Sequence, residues 1–183
     1  MAVDGSNATN NAGKSIVLEG KGSTGIFGKN GSIVKNDGTI ETKTAVPTNS
    51  TEGLVGIALN ASKGTNTSTG EIKLGTAHST GMFGEAVSTI ENAGKITGAK
   101  DIAGIVGIAS DNSTVKNVGG ATITLQGIKS TGIFGKAGST VTNAGVIDAV
   151  APTTQPANST EGLVGIALNA STGTNTSTGE IKL

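Results

Sequence analysis

The sequence predicts an all-β fold, a right-handed parallel β-helix (solenoid) of about six rungs with three short strands each, and three observations predict it. An asparagine recurs at Asn11, Asn36, Asn66, Asn92, Asn117, Asn143 and Asn175, at intervals of roughly 25 to 32 residues, the range in which a repeated period marks a solenoid. Apolar residues alternate with Gly, Ser and Thr at period two, and β-branched residues dominate the runs. Finally, 30 glycines in 183 residues oppose the long 3.6-periodic segments of a helical solenoid.

Each unit has the same internal order. An Asn-x-Gly turn leads into a short apolar run, as in Asn36-Asp37-Gly38-Thr39-Ile40, Asn92-Ala93-Gly94-Lys95-Ile96 and Asn143-Ala144-Gly145-Val146-Ile147. Looser versions stand at Asn66 and Asn175, where Thr-Ser-Thr-Gly-Glu-Ile follows. Glycine at this corner is expected to supply a positive φ. About fifteen residues on comes a Gly-Ile or Gly-Met pair: Gly25-Ile26, Gly56-Ile57, Gly81-Met82, Gly107-Ile108, Gly132-Ile133 and Gly165-Ile166. A third stretch returns to the next asparagine, as in Ser32-Ile33-Val34-Lys35 and Ser139-Thr140-Val141-Thr142. The asparagines then fall in register, and their amides are expected to hydrogen-bond up the stack.

A longer period overlies the first. Gly-Ile-Phe-Gly or Gly-Met-Phe-Gly marks the first, third and fifth rungs, and Gly-Ile-Ala the second, fourth and sixth. The segment from Glu52 to Ser62 returns unchanged from Glu161 to Ser171, as duplication of a two-rung unit predicts. Residues 1–10 read as a lead-in, and residues 11–183 as the repeat domain, ending in mid-rung. Solenoids protect their last rung with a polar cap, and neither end offers one, so the expectation is a piece of a longer rod whose bare edge can pair with a second molecule.

Composition narrows the function classes. Thirteen Lys, no Arg and thirteen acidic residues give a net charge of +0, which lacks the basic footprint of a nucleic-acid binder. With no Cys there is neither a disulfide framework nor a thiolate metal site. No run approaches the ~18 apolar residues of a membrane span, so no direct membrane insertion by this chain is expected. Catalysis needs acids converging on one groove. Here Glu52 and Glu161 are equivalent positions in a duplicated unit, as are Glu71 and Glu180, and the single histidine, His78, has no evident partner. The prediction is therefore no enzyme, no cofactor and no metal site. A polysaccharide-degrading β-helix and an ice-binding solenoid are weighed as rivals, the latter against equivalent positions that vary among Ser, Thr, Lys and Ala. Nine Asn-x-Ser/Thr sequons are expected by chance in a chain this rich in those residues.

Binding surfaces are sought on the outside. In Leu54-Val55-Gly56-Ile57-Ala58-Leu59, strict alternation puts Val55, Ile57 and Leu59 in the core and Leu54 outside. By alignment Phe27, Phe83 and Phe134 face outward in alternate rungs, roughly 10 Å apart, and Leu163 follows Leu54. An exposed apolar strip commonly marks an interaction site. Two long insertions, carrying Pro47 and Asn49 in one and Pro152, Pro156 and Asn158 in the other, are the second candidate surface, because loops on a rigid scaffold often hold binding residues.

The Asn-x-Gly-x-Ile, Gly-Ile-Phe-Gly and Ser-x-Val-x-Asn segments together resemble the passenger repeats of type V autotransporters, especially the large fusobacterial outer-membrane adhesins, over nearly the whole chain from Asn11 to Leu183. The resemblance implies a secreted adhesin passenger, exported through the outer membrane and displayed at the cell surface. It further implies a host-cell protein or glycan receptor as partner, and end-to-end or side-by-side self-association is the other association expected. A structural spacer with no ligand is the nearest rival reading.

Overall fold

The computed structural model describes residues 1–42, 53–149 and 162–183. Its strands stack into three parallel sheets of seven, with no helix among the described residues. One coil contributes one strand to each sheet. In the second coil these are Thr24–Lys29 in sheet A, Ile33–Asn36 in sheet B and Thr39–Thr42 in sheet C. The seventh comprises Val164–Asn169, Thr172–Asn175 and Glu180–Lys182.

The first coil, Ala2–Asp4, Asn7–Asn10 and Ser15–Leu18, draws two of its strands from the segment expected as a lead-in. Its sheet A strand has no Gly-Ile pair, and Ala8 stands where Val34 stands one coil on, which removes the signature the later rungs share. The rungs numbered first to sixth from the sequence are thus the second to seventh coils.

Two isoleucine-rich columns form the core. Ile26, Ile57, Met82, Ile108 and Ile133 of sheet A face Ile40, Ile72, Ile96, Ile123 and Ile147 of sheet C, each at most 1% exposed. Burying one such side chain stabilises the fold by roughly 1.5–3 kcal/mol relative to leaving it in water.

Strict alternation fails in sheet A. Both residues of each Gly-Ile pair point inward, and the register joins Thr24 to Val55 and Ile26 to Ile57 with the glycine between them unbridged. Leu54 is consequently fully buried and Val55 half-buried, the reverse of the expected assignment, while Ile57 and Leu59 do lie in the core. Only glycine fits the inward slot: a Cβ on Gly25 would meet the Gly56 carbonyl oxygen at 2.6 Å, and one on Gly107 would meet Ile123 at 2.6 Å.

Two polar ladders hold the corners. Between sheets B and C, the amide nitrogen of Asn10 donates to Asn36 Oδ1, and so on through Asn66, Asn92, Asn117 and Asn143 to Asn175, at 2.7–2.8 Å per step. The first member is Asn10, one residue before the asparagine the sequence singles out; Asn11 lies in the following turn, where its carbonyl accepts from Lys14. Between sheets A and B, the backbone N–H of Ser6, Ser32, Ser62, Ser88, Ser113 and Ser139 each donates to the serine hydroxyl of the next coil. Buried amides and hydroxyls are thereby satisfied by their own counterparts.

Glycine at the asparagine corner has the expected positive φ at Gly13 and Gly120 and a different role in the even coils. Gly38, Gly94 and Gly145 do not have positive φ. They are needed for close approach: a Cβ on Gly38 would meet Asn10 Nδ2 at 2.8 Å and crowd the carbonyls of Asn11 and Lys14. Positive φ recurs in every coil at the corner between sheets A and B. Odd coils have one such residue there, Gly5, Ala61, Asn112 and Ala170, and even coils two, Asn30-Gly31, Ala86-Val87 and Ala137-Gly138.

The asparagine corner alternates in the opposite sense. Asparagine and the next strand are separated by two residues in even coils, such as Asp37-Gly38. Odd coils place four there, such as Thr67-Ser68-Thr69-Gly70, closed by a Gly70 N–H to Thr67 carbonyl bond of 2.8 Å. This alternation is why the marker looks looser at Asn66 and Asn175.

Candidate functional site

The outer face of sheet A carries the most regular array of large side chains. Its central column runs Ala2, Phe27, Ala58, Phe83, Ala109, Phe134 and Ala167, all in register. The phenylalanines alternate with fully buried Ile26, Met82 and Ile133 along their strands and take no part in the core cluster, so they face outward as expected. Each ring is half-buried, flanked above and below by an alanine. Two strand spacings put consecutive rings ~10 Å apart.

A polar row lies on each side of the rings. Three residues before each Phe stand Thr24, Thr80 and Thr131, alternating with Val55, Val106 and Val164. Two residues after it stand Lys29, Glu85 and Lys136. The second row is largely paired within itself: Lys29 with Asp4 at 3.0 Å, Lys136 with Asp111 at 2.9 Å, and the Asn60 amide donating to Glu85 at 2.8 Å. The Asn30 amide, and then Lys29, hold the Asp4 carboxyl below its usual range. The rings are legible in the sequence; these flanking rows emerge from the structure. Their signal was present, since Thr and Lys or Glu recur at constant offsets from each phenylalanine.

Other candidate residues are distributed differently. Leu54 is fully buried and so drops out as a contact residue, while Leu163 is half-buried. Pro47, Asn49, Pro152, Pro156 and Asn158, with Glu52 and Glu161, lie outside the described residues. Glu71 pairs with Lys73 at 3.1 Å and Glu180 with Lys182 at 3.2 Å, so this duplicated acid occupies the same solvated ion pair in both coils. His78 is exposed, has φ 60 and lies over Gly104. Among the described residues, no group of three or more His, Asp or Glu is placed to hold a metal ion.

Two further surface features exist. A hollow of about 300 Å³ on sheet C is lined by residues including Glu41, Glu71, Lys73 and Leu74. On sheet B, one outward column runs Asn7, Ile33, Lys63, Thr89, Thr114, Thr140 and Thr172. Its last four members form a threonine ladder that the sequence alone did not reveal, and Lys63 and Ile33 occupy the two positions before it.

Comparison with known proteins adds the family. No curated protein and no solved structure matches the chain. The sequence model of the BigA third pectate lyase-like domain matches residues 1–103, more than half of the chain, and the chain belongs to that family.

Proposed function

We propose that this chain is part of a surface-displayed adhesin passenger, a stiff rod whose sheet A face makes contact with a partner. One observation carries the reading: three phenylalanines face outward in a single column, outside the core, on a scaffold whose every buried polar side chain is satisfied among the described residues. Rings that contribute nothing to the core are what an interaction surface requires. The family supports the same reading, since BigA is an autotransporter-type adhesin. It also supports display at the cell surface, with export through the outer membrane as the route. The comparison points to a BigA-type domain where the repeats resemble fusobacterial adhesins.

The pectate lyase-like name raises an enzymatic reading, which the arrangement of acids does not favour. Glu71 and Glu180 each face a lysine of their own strand, in coils four apart, and do not converge on one sugar-sized site. A spacer role is favoured by a different observation, the uniform ladders that run the length of the stack.

Binding of the purified chain to host cells tests the proposal. The expected result is saturable binding that falls about tenfold in the Phe27→Ser, Phe83→Ser, Phe134→Ser triple variant, with the strand signal in circular dichroism retained. Undiminished binding by the folded variant would remove the strip from consideration. A wild-type chain that binds no cell would favour the spacer.

A further inference from the structure

We infer that the outer face of sheet A binds an extended, uncharged β-linked polysaccharide of the cellulose or chitin kind, laid along the rod with alternate sugar rings on Phe27, Phe83 and Phe134. This rests on the reading of that face as the contact surface, and names the partner chemistry.

The first argument is period. One coil advances ~4.8 Å along the rod, close to the advance of one sugar in an extended β-linked chain. Such a chain turns each successive sugar over, so the same ring face recurs at every second residue. The column Phe27, Ala58, Phe83, Ala109, Phe134 presents an aromatic ring with the same two-step period, and a methyl group between. An extended strand laid on this face presents the same side only every ~6.6–6.8 Å and would not keep this two-coil period.

Chemistry is the second argument. A pyranose whose hydroxyls are equatorial exposes C–H bonds on its faces and projects its hydroxyls sideways. The faces stack on aromatic rings by dispersion and by attraction to the ring quadrupole. Sideways hydroxyls meet Thr24, Thr80 and Thr131 on one flank, which donate and accept, and on the other Lys29 and Lys136, which donate, and Glu85, which accepts.

Charge is the third. Along the flank from Asp4 to Lys136, two lysines, Lys29 and Lys136, stand with three carboxylates, Asp4, Glu85 and Asp111. The lysines are engaged by Asp4 and Asp111. No positive excess is left to hold a polyanion such as pectate, and the hydrogen-bonding capacity suits a neutral chain.

Calorimetric titration of the chain with chitin and cellulose oligosaccharides of increasing length, with polygalacturonate alongside, tests the inference. Phe27 and Phe134 are four coils apart, so affinity should rise to about five sugars and then level off. Phe83→Ser should weaken binding about tenfold, and Phe83→Tyr should retain it. If Phe83→Ser does not fold, Ala109→Gln, which fills the space between two rings, carries the same test and should also weaken binding. Absence of binding to both neutral glycans, tighter binding to polygalacturonate, or unchanged affinity in a folded Phe83→Ser chain would overturn the inference. Cell binding that depends on the phenylalanines without any glycan binding would overturn this inference alone; a chain that binds neither cells nor glycans would overturn the adhesin reading as well.

Discussion

The second and third coils fill the same cross-section in two ways. In the second, Gly28 at the end of the sheet A strand leaves room for Val34 in sheet B, and a Cβ on Gly28 would meet Val34 Cγ2 at 2.7 Å. The third reverses this: Leu59 occupies the sheet A position and Gly64 the sheet B one, where a Cβ would meet Leu59 Cδ1 at 2.6 Å. The seventh coil repeats the third coil's solution with Leu168 and Gly173. Volume is moved around the corner while its total is kept, as a close-packed interior demands. Corner length alternates from coil to coil, with a residue added between sheets A and B where two are removed between B and C. The fifth coil keeps the second coil's sense, with Ser110 in sheet A and Val115 in sheet B between Gly84/Ile90 and Gly135/Val141, so the volume exchange marks the third and seventh coils while corner length alternates throughout.

The largest test exchanges one solution for the other. Leu59→Gly alone should cost about 4 kcal/mol through the cavity it leaves. Gly64→Val alone should cost about 2 kcal/mol by overpacking. Together they recreate the second coil's arrangement, and urea unfolding should show the double variant about 2 kcal/mol more stable than the sum of the single effects. Simple additivity would break the comparison.

A smaller effect separates what the two coil types share. Asn92 belongs to an even coil and Asn117 to an odd one, yet both sit in the same amide ladder with at most 1% exposure. Replacing either by Ala removes two ladder bonds and strands a buried partner, at a cost of about 3 kcal/mol. Equal losses in thermal melts would show that the ladder is indifferent to the alternation; a twofold difference would tie it to corner length.

The smallest concerns the extra corner residue of even coils. Val87 adopts φ 66 and is 76% exposed, where the second and sixth coils have Gly31 and Gly138. A β-branched residue is strained in this region, so Val87→Gly should raise stability by about 1 kcal/mol. A loss of stability in the same denaturation assay would mean that the valine makes a compensating contact.

Much of this was legible in the chain itself. Period, composition and glycine content led to the stacked parallel sheets, and period-two alternation along the Gly-Ile strands led to the outward rings. The phase of sheet A was not legible, because Gly25-Ile26 and its counterparts place two adjacent residues inside, a break that period-two reasoning cannot anticipate. Leu54 was misplaced for that reason. Asn10 was missed because Asn11 beside it has the better Gly spacing, while register is decided by the strand that precedes the turn. The role of Gly38 was misread because a sequence does not distinguish a glycine needed for φ from one needed for close approach. The rows flanking the rings were overlooked because strand propensity treats outward Thr and Lys as ordinary solvated positions.

Each Ser and Asn ladder bond joins a coil only to its immediate neighbour, and each neighbour is of the other type. A rod built this way has a quantised length. One coil added or deleted sets two coils of like corner length against each other, whereas two coils, ~10 Å, keep the alternation of corners. Relatives that differ in reach should therefore differ by even numbers of coils, and any glycan or receptor site spread along the column would gain or lose whole aromatic contacts with them.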